Sequence, residues 1–277
     1  MRVRAVQFAP ALGNLDKNMA FHRQKIQEAV EEQIDLIIFP ELSLSGYHLK
    51  DIVFDVTLHS DSVETRKIGE LSRDIDILVG SPYEAMTGQI TNSALYFSQG
   101  ALLHNHEKVQ LPNFAMFEEK MIFKPGGEFR CFSSKGFRIG ILICREILFP
   151  VHGYLHYLQG IDFLIGISNS PHRGLGRAGF VSTPLWETMG YVHSVFYHLP
   201  YVFVNRVGFE DGIGFAGGSF YARAGIAIEK RAPFFEEYTF DFEVSLEEVR
   251  RARLSGNYLR DERPGIILKE LGRILNA

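Results

Sequence analysis

Three side chains able to do covalent or proton-transfer chemistry stand at the ends of strand-like runs: Glu41 in DLIIFPELSLSGY, Lys108 in HNHEKVQLPN and Cys144 in GILICREILFP. A thiol that attacks an electrophilic carbon needs a base to take its proton, a cation or backbone donors to hold the oxyanion, and a turn that exposes its sulfur. Taken singly, each residue has an ordinary explanation: a surface glutamate opening a loop, a solvated lysine, a small buried hydrophobe. Taken together they form a constellation for nucleophilic catalysis. The segment LICREILFP reads as a strand, a sharp turn and a helix beginning near Pro150. That sets Cys144 close to a helix start, where backbone N–H groups point outward.

Rigid mounts are needed to bring such distant residues together. Short apolar runs of strand type recur, among them VRAVQF, DLIIFP, DILVGSPY, NSALYFS, FRIGILIC, DFLIGISN and YVFVNRV. Helical spacing occupies Asp16 to Gln33, Ser62 to Arg73, Val151 to Gln159 and Pro184 to His198. The alternation implies an α/β fold. Tight turns around Gly100 and Gly225 call for antiparallel hairpins, so the sheets are expected to be mixed. Two architectures satisfy this pattern: a doubly wound sheet, or two sheets packed face to face with helices outside. No linker or repeat divides residues 1–277, which are read as one domain with a charged, partly helical extension from about residue 245.

Composition narrows the partners. With 29 Lys and Arg against 33 Asp and Glu the net charge is −4, which gives no electrostatic reason to expect nucleic acid or a membrane surface. Small polar molecules are the expected ligands. Cys131 and Cys144 are too few for a disulfide framework and lack CxxC spacing, so a cytoplasmic protein is expected. Neither a signal-like leader nor an apolar run of about 18 residues appears. His104 and His106 form H-x-H, and His152 and His156 lie four apart, but no HExxH accompanies them and no metal is expected. GFAGGS lacks both GxGxxG and a P-loop lysine, so its glycines are assigned to turning and close packing.

The motifs FPELSLSGY, EKVQLPNFAMFEE and GILICREILFP, in this order, resemble those of the nitrilase, or carbon-nitrogen hydrolase, superfamily. The resemblance continues through ISNSPHR, VNRVG, FAGGSF and RRARLSGNYLRDERP, nearly the whole chain. It implies a four-layer α-β-β-α sandwich of two mixed sheets flanked by helices, no cofactor, and a homodimer joined through one helical layer. It also implies Glu41 as general base, Lys108 as the cation on the oxyanion and Cys144 as nucleophile. Glu119 falls where many members carry a second glutamate, and Glu146 matches an acidic position expected to orient the turn.

SGYHLKDIVFD and LPNFAMFEE most resemble the glutaminase-type branch found in glutamine-dependent NAD synthetases. The chain departs from that branch at Arg145, where glutamate is usual, and at Phe114, where tyrosine is usual, and no second domain to consume ammonia is expected. These departures count against glutamine, and the expected substrate is a small amide, hydrolysed to an acid and ammonia. Tyr47, Phe114, Arg145, His172 and Arg173 are the candidate substrate contacts. A guanidinium beside the nucleophile suits a carboxylate and repels an ammonium; otherwise Arg145 and Arg173 would be solvated or paired with Glu146 or Glu187. An N-carbamoyl compound or a nitrile would meet the same three groups. A catalytically silent scaffold is the alternative of another class.

Overall fold

A computed structural model describes residues 1–172, 175–176, 179–180, 183–256 and 258–276. One six-stranded sheet takes β1 (Arg2–Gln7), β2 (Leu36–Ile38), β3 (Asp76–Met86), β4 (Gln89–Ser98), β5 (Ala101–Glu107) and β16 (Tyr238–Glu243) from the far end of the chain, in the order β16-β1-β2-β3-β4-β5. The second six-stranded sheet is built from β6 (Phe132–Ser134), β7 (Phe137–Ile143), β8 (Phe163–Ser168), β11 (Tyr201–Asn205), β14 (Phe220–Ala222) and β15 (Ile228–Arg231). Two small hairpins complete the strands, β9 (Leu175–Gly176) with β10 (Gly179–Phe180), and β12 (Val207–Glu210) with β13 (Ile213–Ala216). The helices are α1 (Leu15–Glu31), α2 (Val53–Val56), α3 (Val63–Leu71), α4 (Glu119–Ile122), α5 (Pro150–Leu158), α6 (Thr183–Tyr191), α7 (Leu246–Gly256), α8 (Tyr258–Asp261) and α9 (Pro264–Leu275).

Both sheets are mixed, and they share one plan. Read as β16-β1-β2-β3-β4-β5 and as β6-β7-β8-β11-β14-β15, each runs antiparallel, parallel, parallel, antiparallel, antiparallel. The hairpin expected at Gly100 joins β4 to β5, with Gln99 and Gly100 at φ 53° and 90°, the doubly left-handed backbone that a two-residue turn needs to match strand twist.

Alternation along the strands sorts the layers. Leu36 and Ile38 join Ile141, Ile143, Ile165 and Val204 in the core between the sheets, whereas Ile37 faces the other way and packs with Ile26 of α1 and Ile68 of α3. Tyr157 of α5 and Trp186 and Met189 of α6 cover the outer face of the second sheet. The result is helices, sheet, sheet, helices, so of the two architectures open to the sequence the face-to-face pair is the one adopted. The apolar spacing of Met19, Ile26, Ala29 and Val30 suggests one buried face for α1, but the face buried is Asn18, His22, Ile26 and Ala29, while Val30 is exposed.

Candidate active site

The carboxyl ends of β2, β5, β7 and β8 converge, and each delivers part of one buried cluster. Glu41 follows β2 after Phe39 and Pro40, in a loop laid directly on β3. A Cβ on Gly80 would sit 2.2 Å from the backbone nitrogen of Leu42, so only glycine lets the loop approach this closely. Leu42 itself takes φ +45°, a conformation that costs a non-glycine residue free energy and persists only where its surroundings enforce it. The two unexpected polar residues of α1 supply that enforcement. Asn18 donates to the carbonyls of Ala11 and Leu44, and His22 Nε2 lies 3.0 Å from the Ser43 hydroxyl, which in turn accepts the N–H of Gly80.

Lys108 leaves the end of β5 with its backbone N–H on the carbonyl of Asn92 at 2.8 Å. Its Nζ donates to Glu41 Oε1 at 2.6 Å and to Glu119 Oε1, at the start of α4, at 2.7 Å. All three residues are buried. Glu41 is further held by Asn92 Nδ2 on Oε1 at 2.8 Å and by the backbone N–H of Asn169 on Oε2 at 2.7 Å. Burial alone would lower the lysine pKa, but the charges of Glu119 and Glu41 outweigh it and hold the ammonium well above its ordinary range. Burial, joined by repulsion from Glu41, pushes Glu119 up to about 7 against the pull of Lys108. Its Oε2 has no hydrogen-bond partner among the described residues.

Cys144 is the first residue after β7 and sits at φ +47°, so the strand ends on a strained elbow rather than a relaxed turn. Glu146 holds that elbow. Its Oε2 accepts the N–H of Ile143 at 2.7 Å and that of His106 Nε2 at 2.8 Å, while Oε1 accepts the N–H of Val109 at 2.6 Å. One buried carboxylate therefore ties the residue before Cys144 to the residue after Lys108. Burial would raise its pKa, but His106 and the two backbone donors bring it below the usual carboxylate range. Burial raises the Cys144 thiol to about 12, with Glu41 and Glu119 adding to the rise and Lys108 and Ser168 opposing it. Glu41, Lys108 and Glu119 thus all act on the charge of the sulfur, the two carboxylates raising its pKa and the ammonium lowering it.

A cavity of about 170 Å³ opens on Cys144, walled by Phe114, Phe117, Leu148, Pro171 and Trp186, with Arg145 also in its lining. Of the candidate substrate contacts, Phe114 and Arg145 thus line it. Tyr47 does not, because its hydroxyl donates to Glu119 Oε1 at 2.7 Å. His172 lies alongside a small neighbouring cavity, with its ring 5.6 Å from that of Phe235. Arg173 falls outside the described residues. His104 and His106 serve packing and hydrogen bonding, His104 stacking on Phe132 at 4.4 Å and His106 holding Glu146; among the described residues no group of three or more His, Cys, Asp or Glu is placed to hold a metal ion.

Sequence reasoning passed over Asn92, Ser168, Asn169, Glu210 and Trp186. Asn92 left a signal: Thr91, Asn92 and Ser93 are polar residues in the first half of β4, ahead of the apolar residues 94–97, and buried polar groups inside a sheet need a partner. Glu210 left none. It accepts the backbone N–H groups of Tyr47 and His48 at 2.9 and 2.7 Å and pairs with the buried Arg206 at 2.5 Å, fixing the loop that carries Tyr47 from the opposite end of the chain.

The sandwich and its cysteine elbow define a class of hydrolases. Residues 2–254 match the model of that class, carbon-nitrogen hydrolase, and the chain belongs to this family. Among curated relatives, the glutamine-dependent NAD(+) synthetase of Acinetobacter baylyi is 28% identical over 254 residues, covering 91% of this chain and 46% of that protein. The nitrilase of Pyrococcus abyssi is 26% identical, covering 92% of this chain and 94% of its own. This chain therefore spans less than half the length of the synthetase and nearly all of the nitrilase. Among solved structures, a carbon-nitrogen hydrolase from Helicobacter pylori superposes with a TM-score of 0.87 at 22% identity over 98% of both chains. A glutamine-dependent NAD+ synthetase from Acinetobacter baumannii gives 0.76 at 28% identity over 87% of this chain and 45% of its own. No helix among the described residues is long and apolar enough to cross a membrane.

Proposed function

We propose that this protein hydrolyses the carbon-nitrogen bond of a small amide through a thioester on Cys144, releasing ammonia and a carboxylic acid. The observation that carries the proposal is the Glu41–Lys108–Glu119 cluster acting on the charge of the Cys144 sulfur. A thiol held at about 12 is protonated at neutral pH, so its proton has to leave during attack rather than before it. Glu41 receives it: among the described residues Oε2 accepts only the Asn169 N–H and keeps a lone pair for the proton. As the Sγ–C bond forms, the carbonyl oxygen becomes an oxyanion. Lys108 has three N–H donors, of which two go to carboxylates. The third meets the oxyanion together with the backbone N–H of Arg145.

Collapse of the tetrahedral species breaks the C–N bond, and Glu41 returns its proton to the departing nitrogen, which leaves as ammonia. Water then attacks the thioester carbonyl and gives a proton to Glu41. The C–S bond breaks, the sulfur recovers that proton, and the acid departs. The direct test follows ammonia release and the mass of the protein during turnover. Wild type should release ammonia and gain the mass of an acyl group, whereas Cys144→Ala should do neither. An undiminished rate in Cys144→Ala would overturn the proposal.

A further inference from the structure

The charges around the cavity constrain the end of the substrate that does not react. Arg145 lines the cavity beside Cys144, its guanidinium 4.9 Å from the ring centre of Phe114 and 5.5 Å from that of Phe149. The rings meet the guanidinium carbon as a cation–π contact, which uses none of its N–H donors. The two glutamates that could have neutralised it are committed elsewhere. Glu146 is buried on His106 and the N–H groups of Ile143 and Val109, and Glu187 pairs with Arg231. No carboxylate lines this cavity among the described residues; apart from Cys144, Arg145 and Ser170 its walls are apolar. The cavity therefore offers an anion a fixed cationic partner and offers an ammonium group none.

Building on the amide-hydrolase reading above, we propose that the Arg145 side chain anchors a carboxylate at the far end of the substrate, so that the preferred substrate is the monoamide of a short dicarboxylic acid without an amine. Free glutamine carries the carboxylate but also an α-ammonium, which meets Arg145 as a like charge on apolar walls. Arg145 thus sets specificity through its side chain, separately from the oxyanion contact made by its backbone.

The experiment compares kcat/KM for the monoamides of succinic, glutaric and adipic acids with butanamide, pentanamide and hexanamide, in which methyl replaces carboxylate, and with L-glutamine. The best monoamide should exceed its neutral counterpart by about 10-fold or more, the scale of one charge-assisted hydrogen-bonded pair. That ratio should collapse toward unity in Arg145→Gln and be partly retained in Arg145→Lys, which keeps the charge but loses the fork. Stoichiometric alkylation of Cys144 by iodoacetamide certifies that each variant is folded around the same site. Neutral amides matching the monoamides, a ratio unmoved in Arg145→Gln, or glutamine equalling the best monoamide would each overturn the assignment while leaving amide hydrolysis standing. Ammonia from none of the compounds, with Cys144 still alkylated, counts against the amidase reading itself and removes the basis of this one.

Discussion

Titratable groups are buried in two places, at the converging strand ends and beneath the helices on the outer face of the second sheet, and the two treat charge in opposite ways. At the strand ends Lys108 keeps its proton between Glu41 and Glu119. Beneath the helices on the outer face, His156 and His193 give theirs up, because burial depresses them to about 4 and about 3. His156 donates from Nε2 to the carbonyl of Ile141, but its Nδ1, both nitrogens of His193 and the Tyr201 hydroxyl have no partner among the described residues. Bare backbone makes room for these rings: a Cβ on Gly153 would lie 2.2 Å from His193 Cε1, and one on Gly140 2.8 Å from the His156 ring. The outer cluster is space-filling and neutral, while the inner one is charged and tied together by hydrogen bonds from Lys108, Asn92, Tyr47 and the Asn169 N–H. A buried charge survives where counter-charges repay its desolvation, and only such a site keeps an acid, a base and a cation together at neutral pH.

The largest effect should follow from removing the cation. Lys108→Met leaves two carboxylates facing each other without a counter-charge, so it should lower activity by about 10²- to 10³-fold and stability by about 3–5 kcal/mol. Ammonia release and urea unfolding at pH 7.5 measure the two losses. Activity near the wild-type rate in a folded Lys108→Met would erase the distinction between the clusters.

Much of the inner cluster was legible in the sequence because Glu41 and Cys144 follow apolar strands and Lys108 follows a strand end, where a charged or nucleophilic residue stands out. The α/β alternation and the hairpin at Gly100 were legible for the same local reason. What sequence could not show is how the cluster is held. Asn18 and His22 look like a solvent face of α1, yet they are buried because a loop 20 or more residues away supplies their partners. Glu210 reaches Tyr47 across 163 positions. The shared plan of the two sheets lies in strand directions, and residues of unrelated type can follow one backbone path.

A smaller effect is expected where the inner cluster is braced rather than formed. Glu146→Gln turns an amide N–H2 toward backbone and histidine donors that now meet a carboxylate, leaving at least one buried donor unpaired at about 1–3 kcal/mol. The elbow at Cys144 should loosen, so kcat should fall by about 10- to 100-fold with KM changed less. A loss confined to KM would show that Glu146 does not position the nucleophile.

The smallest effect on catalysis, and the clearest signature in pH, belongs to the outer cluster. His193 is ordinarily half-protonated near 6.5 and falls to about 3 when folded, so below pH 6.5 the unfolded chain binds a proton that the folded chain refuses. Stability is therefore fully present above pH 6.5 and declines as pH falls toward the folded value, by up to about 1.4 kcal/mol per pH unit for one such group. His156 contributes in the same direction over the window down to about 4. Replacing His193 with leucine removes one of these linkages and two unpaired nitrogens while keeping an apolar side chain of similar bulk. The slope of unfolding free energy between pH 6 and 4.5 should flatten by about one proton's worth, and ammonia release at pH 7.5 should stay within about twofold of wild type, since surface-remote core changes that preserve packing leave the reacting groups in place. An unchanged slope would mean that His193 is protonated in the folded protein, and the contrast between a charged inner cluster and a neutral outer one would be lost.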